Sequence, residues 1–453
     1  MPVFELLLVL TVVVAFAAML IAWDASRDLL HPLIFMAPMF VFLYGWMPWQ
    51  LWRSGDLANF FDDSHLIFVQ TINLLGVASF AAGCLLAGTR LPARAVSSFR
   101  RRLPAERVRR LAAGGAITGA LGLAAWLTLI MKSGGPMQAF SKAYSGGWDD
   151  SGYVRDGSIL LLSGILLVLA AMALDRLKPS YFLLLAAFAL PWLLQAIMTS
   201  RRGPTFALFA VLSMGWYLNR NRRPPLLAAG AAGLAVGWLI LFLVANRQSI
   251  YVGSDKEFTS EVTALVEAPN TGNEFIYGSG SLLSAIRRDK YFWGMRYLAQ
   301  IVVRPVPTAI WPTKYEDFGV PELLHNAGTG EGIGDTMGWN GAPGSAPGIV
   351  ADLWIEGSWL AFPALFLGGW AYGKCWRKAV MQGGVWASQY AVLSALSIYL
   401  VMQTMEAVIF RLLLLSIPLW VVWAWTSWGI GSEVPEDILE AEYEDDSGVV
   451  THG

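Results

Sequence analysis

Long apolar runs recur along this chain, and each is about as long as the hydrocarbon core of a bilayer requires. A helix needs roughly 20 apolar residues to cross about 30 Å of hydrocarbon. Several of the runs contain Gly or Pro, which membrane helices tolerate. The runs are residues 4–22, 33–52, 66–88, 111–131, 157–174, 181–198, 204–218, 226–245, 349–371, 386–403 and 410–429. The pattern predicts an all-α integral membrane protein with about 11 transmembrane helices.

The spacing of the runs divides the chain into four parts. They are an N-terminal bundle of about eight spans (1–245), a long loop (246–348), the C-terminal spans (349–431) and an acidic tail (432–453). The tail is rich in Asp and Glu and poor in aromatic residues, so we expect it to be disordered.

The long loop has two recognisable stretches. Residues 292–303 mix aromatic, aliphatic and basic side chains, which predicts a short helix lying in the membrane interface. Residues 319–348 are dense in Gly and Pro, which predicts irregular structure. A loop of this length between membrane spans is more often functional than a simple connector.

Composition and charge support a membrane protein and indicate its orientation. Only 14% of the residues are charged, against about 25% in soluble domains, and the 21 Trp are typical of many membrane–water interfaces. The first residues have no basic group before their apolar run, which argues against a cleaved signal peptide. Residues 89–110 hold eight arginines, so the positive-inside rule predicts that this segment is cytoplasmic. The N-terminus and the long loop are then outside and the C-terminus inside. Cys84 and Cys375 indicate no disulfide framework.

Two adjacent arginines occupy a very short outer hairpin. Arg201 and Arg202 lie in TSRRGP, between the sixth and seventh predicted spans. They directly precede a helix N-terminus, whose free amides and dipole favour anions. The hairpin is therefore a candidate clamp for phosphate or pyrophosphate. The alternative is that both side chains simply reach lipid headgroups, which needs no function.

Several other ionisable residues are predicted near the same membrane face. Asp352 and Glu356 lie near the outer start of the ninth span, and Glu406 and Arg411 flank the predicted outer turn MEAVIFR. Charges at this depth usually face a cavity or a partner, although a structural Glu406–Arg411 ion pair would also explain them. His325 is the single histidine of the long loop, and such a residue is more often incidental than a base.

The order of motifs in the second half of the chain resembles that of a known family. An apolar span ends at Arg247, and the long loop carries FWGMRYL (292–298) and PTAIWPTK (307–314) before GIVADLWIEGSWLAFP. Over roughly residues 195–370 the chain resembles the Wzy-type O-antigen or exopolysaccharide repeat-unit polymerases, relatives of the O-antigen ligases. In two places it departs from that pattern. Thr308 stands where the family often has arginine, and Tyr315 where it has proline. We expect Arg304 to supply the missing charge.

The resemblance implies a glycosyltransferase of the bacterial cytoplasmic membrane whose site faces outward. Donor and acceptor would be oligosaccharide repeat units on polyprenyl pyrophosphate, such as undecaprenyl pyrophosphate, and the bilayer would be the third partner. We expect no metal, no cofactor, no sugar nucleotide and no nucleic acid, and a chain-length regulator stays open as a further partner. The expected pyrophosphate or glycan contacts are Arg201, Arg202, Arg247, Arg304, Lys314 and Arg411. The expected base is His325, followed by Glu406, Glu356 and Asp352.

Three other interpretations compete with this hypothesis. A ligase on the same scaffold would differ mainly in its acceptor. A transporter or flippase for lipid-linked glycans would be expected to carry charged or broken helices near the midplane in paired halves. A purely structural membrane protein would tolerate loss of the paired arginines.

Overall fold

The computed structural model describes residues 2–88, 104–141, 152–175, 177–198, 202–246, 273–320, 330–341 and 345–428. Within these ranges the regular structure is helical and no strand occurs. The helices before the long loop are α1 Pro2–Ser26, α2 Pro32–Arg53, α3 Asp63–Gly88, α4 Ala105–Lys132, α5 Val154–Leu174, α6 Pro179–Met198, α7 Arg202–Asn219 and α8 Leu226–Ala245. The others are α9 Glu274–Arg288, α10 Met295–Leu298 with the π-helical turn Ala299–Val303, α11 Gly330–Met337, α12 Gly348–Gly357, α13 Ala361–Gln382, α14 Gly384–Met402 and α15 Met405–Ser427.

Nine stretches of the described chain are long and apolar enough to cross a membrane. They are α1 to α6, α12 taken together with α13, α14 and α15. Helix α7 is not among them and carries Arg202 and Asn219 at its ends, and α8 qualifies only as a shorter apolar helix over Leu226–Leu239. The structure thus confirms an α-helical, membrane-embedded protein, while the count of 11 spans stays a prediction.

Three sequence predictions about local structure were wrong. The segment GKCWRK, which lies between the predicted spans 349–371 and 386–403, continues helix α13. MEAVIFR is the start of α15 and not a turn, because the Thr404 hydroxyl caps the helix by accepting the N–H of Ala407 at 3.1 Å. Part of the stretch predicted to be irregular forms α11. The acidic tail and its predicted disorder lie outside the described residues.

Helix α9 has no counterpart in the sequence predictions, because its GSGS stretch is poor in helix-forming residues. The packing explains these small residues. A Cβ on Gly278 would lie 2.3 Å from the carbonyl oxygen of Pro347, and one on Gly280 would lie 2.6 Å from the Trp339 ring. The glycines lower the helix propensity of α9, but they allow α9 to approach the residues around α11 and α12 closely.

Small residues also set the contact between α3 and α13. A Cβ on Gly369 would lie 2.0 Å from the Phe80 carbonyl oxygen, and one on Gly83 would meet the backbone of Phe366. Lipid tails are as apolar as the side chains, so helix association in a membrane depends on this kind of close packing. The pair α3–α13 consequently forms a rigid wall of the bundle.

This contact gives a first prediction with an adjacent control. Gly369→Ala should destabilise the protein by about 1–3 kcal/mol, because the added methyl group overlaps backbone that cannot move aside. Gly368→Ala should leave stability unchanged, since its Cβ would meet nothing nearer than 3.9 Å. Thermal unfolding of the two variants in nanodiscs measures the difference, and equal melting temperatures would contradict the packing argument.

Polar contacts gather at the two opposite ends of the bundle. At one end Arg107 donates to the Thr426 carbonyl and Tyr390 to the Leu30 carbonyl, at 3.1 and 2.5 Å. The two described cysteines are free and buried. At the other end the starts of α5, α12 and α15 meet α10 from the long loop. Segments that the orientation rule places on one side of the membrane are thus brought together in the structure.

Candidate functional site

Three polar side chains, Arg296, Gln300 and Arg304, lie along the inner side of α10 and its C-terminus. Their spacing of four residues puts them on one helix face. The turn Ala299–Val303 within this stretch is π-helical, a local widening that is frequent at functional sites. Around this stripe lie the acidic and basic groups of α5, α12 and α15 and the Tyr399 ring of α14, and we call the whole set the polar cluster.

At one end of the polar cluster, Arg296 is held by two carboxylates of α12. Its Nη2 lies 2.8 Å from Asp352 Oδ1, and its Nε lies 2.5 Å from Glu356 Oε1. Asp352 and Glu356 are four residues apart on one helix face, which lets them bind the same guanidinium. Burial opposes the charge on Arg296, but the two carboxylates outweigh it and raise the pKa of this guanidinium. Arg296 is therefore a buried, permanently charged group.

The remaining oxygens of these two carboxylates also have donors. Asp352 Oδ2 accepts the Tyr297 hydroxyl at 2.7 Å and the Met405 N–H at 2.8 Å. Glu356 Oε2 accepts the Gly294 N–H at 2.8 Å. Burial and the adjacent Asp352 raise the pKa of Tyr297, so its phenol stays protonated and donates. Asp352 and Glu356 thus fasten α10 and the start of α15 to α12.

Glu406 is more exposed than the two carboxylates of α12 that bind Arg296. Its side chain is 24% exposed, against 0% for Asp352 and 6% for Glu356. It accepts a hydrogen bond from Gln300 Nε2 at 2.5 Å and lies 3.9 Å from Arg296 Nη1. The Glu406–Arg411 ion pair considered as an alternative is not formed, because Glu406 pairs with Arg296 instead. Of the three acids predicted as bases, Glu406 is the most exposed.

The other end of the polar cluster is rich in arginine. Arg304 Nη2 lies 2.8 Å from Asp156 Oδ2, and its guanidinium stacks 4.2 Å from the centre of the Phe410 ring. Arg411 stacks 4.6 Å from the centre of the Tyr399 ring, within electrostatic range of Arg304. Arg155 and Asp156 also lie within electrostatic range of Arg411. Three arginines and one aspartate therefore share this end, a net excess of positive charge.

Helix α7 begins beside the arginine end. A Cβ on Gly203, in its first turn, would lie 2.5 Å from the Tyr399 hydroxyl. The first turn of α7 thus lies beside the ring that Arg411 covers. Of the expected pyrophosphate contacts, Arg201 and Arg247 lie outside the described residues, as does the candidate base His325. Arg202 is described in its backbone alone.

Gln300 joins the two ends of the polar cluster. Its Oε1 accepts from Arg304 Nη1 at 2.8 Å, while its Nε2 donates to Glu406. The orientation of the amide follows from chemistry, because a guanidinium can only donate and so requires the oxygen. The accessible carboxylate and the arginine end are therefore separated by a single side chain.

Lys314 lies apart from the exposed part of the polar cluster. Its buried ammonium donates to the carbonyl oxygens of Val303, Arg304 and Val306 at 3.0, 3.2 and 2.5 Å. These bonds satisfy carbonyls at the C-terminal end of α10 and account for the three donors of a lysine. The structure thus gives Lys314 the position of a helix cap that holds Arg304 in place. Its predicted contact with pyrophosphate stays a prediction.

Sequence reasoning missed six members of the polar cluster, namely Arg155, Asp156, Arg296, Tyr297, Gln300 and Tyr399. The stripe at 296, 300 and 304 was visible as polar residues at helical spacing within an otherwise apolar segment. The partners of the stripe were not visible, because they are 50 or more residues away in the chain.

In comparisons with known protein families, curated proteins and solved structures, nothing matches this chain. Its function therefore has to be inferred from the site itself.

Proposed function

We propose that this protein is a membrane glycosyltransferase that polymerises oligosaccharide repeat units carried on polyprenyl pyrophosphate. The reaction would take place at the outer face of the bacterial cytoplasmic membrane, where the polar cluster lies on the expected orientation. The observation that carries the proposal is the arginine end, placed one side chain away from an accessible carboxylate.

The arginine end fits a pyrophosphate leaving group. As the glycosyl–oxygen bond breaks, its electron pair goes to the pyrophosphate oxygen, and the departing group gains negative charge. Arg304 and Arg411 are fixed by stacking on Phe410 and Tyr399, so they can stabilise that charge without reorganising. Asp156 pairs with Arg304 and would be displaced by the more highly charged pyrophosphate.

The carboxylate end fits the acceptor. A hydroxyl of the acceptor sugar attacks the anomeric carbon, and its proton must pass to a base as the new glycosidic bond forms. Glu406 has the exposure for this role, and Gln300 fixes its orientation. Asp352 and Glu356 act indirectly, since they hold the helix that carries Gln300 and Arg304.

The proposal is tested in a strain lacking this protein, complemented with wild type, Arg304→Gln or Arg53→Gln at equal membrane abundance. We expect Arg304→Gln to lower polymerisation by about 10²–10³-fold, because a fixed positive group at the leaving charge is lost. Arg53 is an exposed arginine at the end of α2, so its replacement is the matched control and should leave polymerisation unchanged. Gel electrophoresis and mass spectrometry of lipid-linked and surface glycan give the readout.

The glycan products distinguish the competing functions. Single repeat units that accumulate outside in the deletion strain and with Arg304→Gln, and become long chains with wild type or Arg53→Gln, support the polymerase. Full-length polymer left on its lipid carrier would indicate a ligase, and repeat units retained in the cytoplasmic leaflet would indicate a flippase. Normal glycan in all strains would rule out all three functions.

A further inference from the structure

Helix α10 is amphipathic with its polarity reversed relative to a helix on a soluble protein. Its charged and polar residues point into the protein, where Arg296 is only 7% exposed. Its apolar side chains point away from the protein and are between 38% and 47% exposed, namely Met295, Leu298, Ile301 and Val302. In water this arrangement would be unfavourable, because about 25 cal/mol is lost for each Å² of apolar surface left exposed. The outer face of α10 therefore requires an apolar environment.

The surfaces on either side identify that environment. Helix α10 packs against α15, a candidate membrane span whose own exposed side chains include Leu413, Ile417 and Val421. The apolar face of α10 thus lies on a helix that packs against a candidate membrane span with exposed apolar side chains of its own. Large exposed apolar patches mark interaction sites, and here the adjoining partner is the hydrocarbon of the bilayer.

The residues at the N-terminal end of α10 place it at the level of the lipid headgroups. Trp293 is 66% exposed and donates its backbone N–H to the Glu356 carbonyl, two residues before the 3-10 helical turn Ser358–Leu360. Trp359, also highly exposed, follows there. Tryptophans concentrate at the membrane–water interface, where their rings are apolar and their N–H groups polar. Lys290 precedes them as an exposed charge on the water side.

We infer that α10 inserts its outer face, Met295, Leu298, Ile301 and Val302, into the hydrocarbon edge of one membrane leaflet and so forms the wall between lipid and the polar cluster. An amphiphile in that leaflet would then reach Gln300 and Arg304 by passing one helix, without leaving the membrane. The inference depends on the exposure pattern and stands independently of the reaction proposed above.

Nitroxide labels on single cysteines test this directly in nanodiscs. Cys84 and Cys375 are buried, so the wild-type protein should take up little label and serves as the blank. Labels are placed at Ile301 and Val302 on the inferred membrane face, at Val421 on α15 as the lipid reference, and at Lys290 as the water reference. Collision rates with O₂, which enters lipid, and with a water-soluble nickel chelate report the environment of each label.

We expect Ile301 and Val302 to show a ratio of O₂ to nickel collisions several-fold above that of Lys290 and close to that of Val421. A ratio equal to that of Lys290 at both positions would overturn the inference. Protection of both positions from O₂ and nickel alike would also overturn it, since the face would then be covered by protein, such as a second copy of the chain. Two neighbouring labels guard against a local disturbance at either one.

Discussion

Replacing Arg296 by methionine is expected to lower the stability of the protein by about 3–5 kcal/mol, because Asp352 and Glu356 would be left as buried carboxylates without a cation. Methionine approximates the length of the side chain, so the loss would come mainly from charge and not from volume. The change should appear as a large drop in melting temperature in nanodiscs and as reduced abundance in membranes. Arg53→Met, on the exposed end of α2, should change neither.

A compensating variant separates charge from packing. Adding Asp352→Asn and Glu356→Gln to Arg296→Met removes the uncompensated charges. Removing one member of a buried ion pair lowers stability far more than replacing all its members by neutral residues. We expect the triple variant to recover a large part of the lost stability. If Arg296→Met alone has the melting temperature of the wild type, the carboxylates do not depend on Arg296, and the proposed clamp between α10 and α12 is wrong.

Replacing Glu406 by glutamine is expected to lower the rate of glycosidic bond formation by about 10²–10⁴-fold, the usual contribution of a positioned base. The amide keeps the size of the side chain and an oxygen that can accept from Gln300, so the fold and the arginine end should be unaffected. The measurement is the rate of polymer formation in membranes supplied with lipid-linked repeat units. Glu316→Gln, an exposed acid of the same loop, is the matched control.

The pH dependence sharpens this prediction. A base works only when deprotonated, so the wild-type rate should fall as the pH is lowered. The residual activity of Glu406→Gln should not show this fall. Binding of inorganic pyrophosphate should persist in Glu406→Gln and weaken in Arg304→Gln. A Glu406→Gln protein with the wild-type rate would exclude Glu406 and make His325 the next candidate base.

The sequence alone determined the class of the protein and the position of its main helices. Each apolar run coincides with a helix, because roughly 20 apolar residues leave a chain few alternatives to a helix in lipid. The same reasoning failed for GKCWRK and MEAVIFR, where helix continues through charged residues, and for α9, whose glycines are poor helix formers. Local preference was overridden there by capping and by close helix packing.

For the candidate site, the sequence identified several of the side chains that form it, including Arg304, Arg411 and Glu406. The tertiary structure alone decided their partners and their separate roles. Asp352, Glu356 and Glu406 look equivalent as acids near span ends, yet Arg296 binds the first two at 2.8 and 2.5 Å, while Glu406 lies 3.9 Å from it and stays partly exposed. The physical reason is that the burial and pairing of a side chain depend on residues far away in the chain. A local sequence pattern does not indicate which distant residues will pack against that side chain.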